Sequence, residues 1–284
     1  MFIRNRIYSI KIRLIMLRYN IINLLSKKKG ISGEWDKKIV VSLTTYSKRI
    51  NLVYIAIESI MNQTLQADKI VLWISSQDLE NGEVPWRLEK LKRRGLDIYI
   101  IDENIKSYKK LIYSIEKFTD SVIITCDDDT LYPRYFIEEI YKKHLLYPKA
   151  IIGYRCSYML RDSSNQLCPY KEWANKQVKT PSFNLFPTGV GGILYPNGSL
   201  NKKISNKELF LQLAPTGDDI WFKAMGLLNN TKTISVFDRF IEFPSILSTN
   251  DDALWHENIG NNKNDEQLKN VFDYFNLYNY IRED

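Results

Sequence analysis

At 284 residues with 44% hydrophobic side chains, the chain is long enough for one large α/β domain or two small ones and is far from the composition of a disordered protein. Three cysteines, Cys126, Cys156 and Cys168, form no CxxC pair and leave an odd count, which argues against a disulfide framework and a structural zinc site and suits a reducing cytoplasm. The net charge of +7 is concentrated at one end: Arg4, Arg6, Lys11, Arg13, Arg18, Lys27, Lys28 and Lys29 stand among residues 1–30 with no acid, leaving 32 basic against 33 acidic residues in the remainder.

That first segment has no proline and no glycine before Gly30. Its apolar residues Ile3, Ile7, Ile10, Leu14, Leu17, Ile21 and Leu24 recur at the 3-4 spacing of one helical stripe, so residues 1–36 are expected to form a basic amphipathic helix ahead of a domain spanning 37–284. The longest charge-free run, 19–26, is well short of the roughly 20 apolar residues that cross a bilayer, and charges scattered through the apolar stretch do not fit a cleaved signal peptide. Three roles stay open: an interfacial helix held to anionic lipid, a self-associating helix using the stripe as its seam, or a helix docked on the body. Ile12, Ile15, Met16 and Ile22, off the stripe, make a simple coiled coil less natural. Nucleic acid is disfavoured, since no binding motif accompanies the basic segment and the body is not basic.

From residue 38 the pattern alternates. "KIVVSLTT" (38–45), "KIVLWIS" (69–75), "LDIYII" (96–101), "SVIITC" (121–126) and "KAIIG" (149–153) read as strands. Helical spacing falls between them at 51–63, 85–95, 107–118 and 133–146. Continuous apolar strands alternating with helices predict an α/β fold, a mostly parallel central sheet flanked by helices. In such sheets ligands bind at the carboxyl ends of the strands. The residues just past those ends are Thr44, Thr45 and Tyr46 with Lys48 and Arg49, then Ser75 and Ser76, then Asp102, Glu103 and Asn104, then Asp127, Asp128 and Asp129.

The triplet in "VIITCDDDTLYP" carries the most chemistry. In extended backbone Asp127 and Asp129 point to one side while Asp128 turns away. Two convergent carboxylates with no adjacent Lys or Arg suit a hard divalent cation, Mg²⁺ or Mn²⁺, that leaves positions open for substrate phosphates. Farther on, the glycines of "TGVGGILYP" (188–196), Gly191 and Gly192 among them, allow a sugar or a neighbouring backbone to approach closely, or form a tight turn. "APTGDDIWFKAM" (214–225) predicts a helix starting at Thr216 or Gly217 with Asp218 and Asp219 in its first turn, where the helix dipole also favours acids. Trp221 is a candidate sugar-stacking residue, with core packing as the alternative. The stretch 264–281 reads as a helix capped by Asn264 with Gln267 reaching back.

In order along the chain, "IVVSLTTYSKRI", "ADKIVLWIS", "YKKLI", "VIITCDDDTLYP", "PTGVGGILYP" and "TGDDIWF" resemble a nucleotide-sugar-dependent glycosyltransferase of the GT-A (Rossmann-like) fold, close to the bacterial family 2 type that builds surface polysaccharide. The resemblance spans roughly residues 37–260. It implies that the DxD aspartates hold a metal bridging the donor diphosphate, with one also near the ribose, which places Asp127 and Asp128 against the donor and Asp127 and Asp129 on the metal. It further implies that Thr44, Tyr46 and Arg49 meet the nucleotide, that Lys109 and Lys110 approach the diphosphate, and that Asp218 or Asp219 is the catalytic base, with Gly191, Gly192 and Trp221 toward the acceptor. His256 stands where some enzymes of the fold add a metal ligand. Many family 2 enzymes have an aspartate-rich turn after the second strand, where this chain has Ser75 and Ser76; base recognition then falls to Asp102 or Asp78. The expected activity is metal-dependent transfer of a hexose-type unit, with inversion, from a nucleotide diphosphate sugar, a UDP-sugar first, to a glycan or lipid-linked acceptor at the cytoplasmic face of the cell membrane. A sugar-phosphate nucleotidyltransferase is the alternative enzyme, although "SLTTYSKRI" lacks the glycines of its phosphate loop. A non-catalytic membrane-bound scaffold of the same fold is the other.

Overall fold

The computed structural model describes residues 2–164, 166–174, 178–246 and 263–281. A long helix α1 (Phe2–Leu25) precedes the repeating units β1 (Ile39–Thr44), α2 (Val53–Met61), β2 (Lys69–Ser75), α3 (Trp86–Lys92), β3 (Leu96–Ile101), α4 (Lys109–Lys117) and β4 (Val122–Cys126). There follow α5 (Phe136–Leu146), β5 (Ile151–Gly153), β6 (Cys156–Tyr158), β7 (Leu185–Pro187), β8 (Ile193–Tyr195), α6 (Lys207–Leu213), α7 (Asp218–Leu228), β9 (Thr233–Ser235) and α8 (Lys263–Phe275).

Seven strands form one sheet in the order β3-β2-β1-β4-β8-β5-β9, and β6 pairs with β7 in a small antiparallel ribbon. The first four are parallel, Val41 facing Ile70 on one side and Ile124 on the other; only β8 runs against its neighbours β4 and β5. β1 and β4 are buried on both faces, which is why their sequences are predominantly apolar rather than alternating, with Ser42, Thr44 and Thr125 as the polar positions. One apolar layer covers the sheet through α1, α2 and α5, and another through α4, α6, α7 and α8. The chain departs from β1 toward β2 on one side and reaches β4 on the other. A crevice at the carboxyl ends of β1 and β4 is the switch point at which such sheets bind ligands.

α1 docks on the body. All nine residues of α2 are buried, because this helix is apolar on its outer side as well and needs cover on both faces. α1 provides that cover with Ile12, Tyr19 and Asn23, which are buried, while Ile15, Met16 and Ile22 pack beside them. These are the residues off the predicted stripe. Ile10, Leu14, Leu17, Ile21 and Leu24 of the stripe itself are exposed. A buried polar clamp fixes the helix: Asn23 donates to Glu58 at 3.1 Å, Glu58 pairs with Arg94 at 2.5 Å, and Arg94 donates to the Lys28 carbonyl at 2.9 Å. No helix among the described residues is long and apolar enough to cross a membrane.

Two expected elements differ. The predicted helix over 264–281 stops at Phe275, where Asn276 turns left-handed and a short 3-10 turn, Leu277–Tyr280, follows. Asn264 is not the cap, since the helix already includes Lys263; Gln267 reaches back from Nε2 to the Lys263 carbonyl at 3.2 Å, and its Oε1 accepts from the Thr216 amide at 2.8 Å and so ties α8 to the start of α7.

Because Glu58 is wholly buried, Glu58→Ala leaves the Arg94 charge without its partner. Urea unfolding of that variant is expected to show a loss of about 3–5 kcal/mol.

Candidate active site

Tyr108 sets the geometry on one side. It is fully buried, stacked on Phe210 with ring centroids 4.1 Å apart, and its hydroxyl donates to the Ala214 carbonyl at 2.5 Å. The two residues after it start α4 and are therefore held inside the protein, 1% and 5% exposed, although adjacent lysines on a helix are usually solvated. Lys109 Nζ reaches Asp78 at 3.3 Å and Asn104 Oδ1 at 3.1 Å, joining the loops after β2 and β3. Lys110 Nζ lies 2.9 Å from Asp127 Oδ1 and 3.3 Å from Asp218 Oδ2, joining the end of β4 to the start of α7.

The triplet is correspondingly not bare. Burial, and after it the charge of Asp127, raises the pKa of Asp129. The sequence places no cation beside them, but the fold brings two. Arg49 pairs with Asp128 at 3.0 Å and Asp129 at 2.9 Å, and Lys110 pairs with Asp127. Asp128 and Asp129 form a turn instead of the expected extended backbone, so Asp128 does not turn away from Asp129 but shares Arg49 Nη1 with it, while Asp127 reaches Lys110. Asp128 is buried and accepts from Thr45 Oγ1 at 2.7 Å, so in this structure it holds Arg49 instead of facing a donor. Burial pushes its carboxyl up to about 6 against the pull of Arg49.

α7 begins at Asp218 with Gly217 at its cap, as the sequence predicts. Asp219 Oδ2 accepts from the Gly189 amide at 2.8 Å, which locks it. Burial, with Asp218 beside it, raises its pKa to about 7. Asp218 Oδ2 is buried and lacks a hydrogen bond, its approach to Lys110 being an ion-pair contact only. Burial disfavours the charge on Lys110, yet Asp127, Asp218 and Asp219 together hold its pKa well above the usual lysine value.

Other expected site residues fall as follows. Thr44 donates to the Trp73 carbonyl at 2.8 Å, Tyr46 lies under the Arg49 guanidinium at 5.3 Å, and Asp102 is exposed at the end of β3. Trp221 does not face the site; it is wholly buried and donates to the Ile204 carbonyl at 3.0 Å, so its ring packs the core. Gly191 and Gly192 also serve packing. Both have positive φ, and a Cβ on Gly192 would meet the Phe136 ring at 2.6 Å, while one on Gly191 would meet Tyr154 at 3.5 Å. The glycine that faces the carboxylates is Gly189, whose added Cβ would lie 3.0 Å from Lys110 Nζ, 3.2 Å from Asp219 and 3.6 Å from Asp127. Its place in "TGVGG" was the available signal. Tyr132, whose hydroxyl accepts from the Asp127 amide at 2.7 Å, carries no signal in the sequence because its partner is set by the fold, and Thr45, read only as a polar strand-end residue, gains its bond to Asp128 the same way. His256 lies outside the described residues.

Five carboxylates, Asp127, Asp128, Asp129, Asp218 and Asp219, thus gather around two cations, Lys110 and Arg49. The imbalance fits a divalent cation. Asp127 and Asp129 each commit one oxygen to a basic partner and remain about a fifth exposed. Among the described residues no three acidic, histidine or cysteine side chains form a complete metal cage. Two carboxylates with the remaining positions left to phosphates and water is a coordination that Mg²⁺ accepts. A groove of about 960 Å³ opens between Ser47, Asp78 and Trp86, lined by none of the charged residues of the cluster and linked to the site through Asp78, the partner of Lys109.

An Asp-x-Asp segment at the switch point of a mostly parallel sheet thus faces a second acidic pair at the start of a later helix. The family model of the glycosyl transferase family 64 domain matches residues 39–180, half of the chain, and the chain belongs to that family. Among curated proteins none matches it. Among solved structures it is similar to the mannosyltransferase PcManGT from Pyrobaculum calidifontis in complex with GDP-Man and Mn2+, at 14% identity and TM-score 0.44 over 79% of this chain and 61% of that one. It is also similar to S. aureus TarS 1-349, at 12% identity and TM-score 0.49 over 74% and 60%. The chain covers about three fifths of each of these two structures.

The raised pKa of Asp219 has a stability consequence. The folded state binds its proton more tightly than the unfolded state, so the associated stability is present below about pH 4 and is lost as pH rises through about 7. Denaturant titrations across that window are expected to show the decline in the native protein and a decline smaller by on the order of 2 kcal/mol in Asp219→Asn.

Proposed function

We propose that the chain transfers a hexose-type sugar from a nucleoside diphosphate donor, a UDP-sugar first, to a glycan or lipid-linked glycan in surface polysaccharide synthesis, at the cytoplasmic face of the cell membrane and with inversion at the anomeric carbon. The observation that carries this reading is the buried Lys110, which bridges the strand-end Asp127 and the helix-start Asp218 and so puts a phosphate-side carboxylate and a base candidate a few ångströms apart. Asp127 and Asp129 would hold Mn²⁺ or Mg²⁺, which when bound acts as a Lewis acid on the departing diphosphate.

The protein's own groups have separate tasks. Asp218 Oδ2, buried with its hydrogen-bonding capacity unfilled, accepts the proton of the acceptor hydroxyl as that oxygen attacks the anomeric carbon and the bond to the diphosphate breaks. Geometry favours Asp218 over Asp219 here, because Asp219 is tied to the Gly189 amide and positions that turn. Lys110 orients Asp218 and offsets diphosphate charge, and Arg49 is held in place by Asp128 on the nucleotide side. The nucleoside would occupy the open groove bounded by Ser47 and Asp78.

Calorimetric titration with UDP, GDP and CMP, each with Mn²⁺ and with chelator, tests the reading. One nucleotide is expected to bind tightly only with metal, and Asp129→Ala is expected to abolish that metal dependence. Binding that ignores metal in both proteins removes the metal assignment; no binding at all points to a scaffold.

Asp218→Asn is expected to keep nucleotide affinity and to lower transfer by about 10²–10⁴-fold, the usual contribution of a positioned base, with a smaller loss for Asp219→Asn. Unchanged turnover in Asp218→Asn excludes it as the base.

A further inference from the structure

The outward face of α1 has no partner among the described residues. Ile10, Leu14, Leu17, Ile21 and Leu24 are between 45% and 61% exposed, and Leu25 is 76% exposed. At 100° per residue these six fall within one narrow stripe, directly opposite the face formed by Ile12, Tyr19 and Asn23 that packs on α2. Such a continuous apolar strip on a surface helix marks an interaction site. Its borders are basic: Arg13 lies along one side and Lys11 and Arg18 along the other, all exposed, and Lys27, Lys28 and Lys29 follow its end. Residues 1–30 contain no acid that could pair with them.

We infer that this stripe is a lipid-contacting surface for an anionic membrane, and that it presents the catalytic edge to an acceptor carried in that membrane. Basic side chains on both flanks can extend to lipid headgroups while the stripe enters the acyl boundary. A second copy of the same helix is the weaker occupant, because it would bring two uncompensated basic borders together.

The direction of α1 supplies the link to the substrate. Asn20 contacts Tyr54 and Asn23 contacts Glu58, so α1 runs parallel to α2, and both run away from the carboxyl edge of the sheet. Gly30 and Ser32 then cross the opposite edge, bonded to Arg94 and Ala67. The N-terminal turns of α1 therefore lie toward the side of the strand ends that carry Asp127 and Arg49. The clamp of Asn23, Glu58 and Arg94 holds the helix to the body, so a helix lying on lipid fixes the orientation of the site as well as its concentration. The lipid-linked acceptor rests on the glycosyltransferase reading; the lipid-contacting face does not.

The test is sedimentation of the full chain with phosphatidylcholine vesicles, with and without phosphatidylglycerol, alongside light scattering and UDP binding with Mn²⁺. The protein is expected to pellet with the anionic vesicles and to stay largely in solution with the neutral ones. Leu14→Glu/Leu17→Glu and Arg13→Glu/Arg18→Glu, all at exposed positions, are each expected to weaken that binding roughly tenfold or more, with nucleotide binding as in the native protein. Equal pelleting of native and variant proteins overturns the inference. So does a dimer that dissociates in the variants without vesicle binding, which assigns the stripe to a second copy. Loss of nucleotide binding in every form, with vesicle binding intact, leaves the lipid face standing and removes the glycosyltransferase reading.

Discussion

The structure depends on one buried ammonium. Lys110 is almost completely removed from water, a position that is costly for a lysine unless opposite charges surround it. Asp127 and Asp218 supply them, with Asp219 behind. Since Asp127 ends β4 and Asp218 starts α7, the same contact joins the sheet edge to the later half of the chain. It brings together two acidic motifs separated by some ninety positions in sequence. Removing the charge would leave five carboxylates facing Arg49 alone, so fold and site share one electrostatic requirement.

The environment then divides chemically similar acids into different roles. Asp128 is buried against Thr45 and Arg49 and acts inward. Asp127 and Asp129 each keep about a fifth of their side-chain surface open, where a cation and phosphates can approach. Asp219 is bound to a backbone amide, while its neighbour has an oxygen with no hydrogen bond. Burial and partner choice make these distinctions, because the isolated side chains are identical.

α1 joins two requirements in one helix. Inward, it covers α2, a helix apolar on every side, and closes the clamp through Asn23. Outward, it presents leucines and isoleucines flanked by arginine and lysine. An amphipathic helix normally has one apolar face, and here there are two. This is why the sequence shows both a regular stripe and additional apolar residues off it, and why spacing alone does not say which set faces the body.

The sequence by itself determined β1 to β5, the parallel pairing of the first four and the edge that carries the polar residues, because buried strands demand long apolar runs ending in polar groups; β6 to β9, three residues each and with β8 antiparallel, are too short to show a pattern. It also determined Asp218 and Asp219 at a helix start, since local backbone chemistry places acids in a first turn. The tertiary structure alone decided that Lys109 and Lys110 are buried, that Arg49 reaches the triplet, that Gly189 rather than Gly191 or Gly192 lies against the carboxylates, and that Trp221 belongs to the core. Each of these depends on which segments meet across the sheet edge. Periodicity records how far a residue is from water, but it does not record which distant charge will be its neighbour.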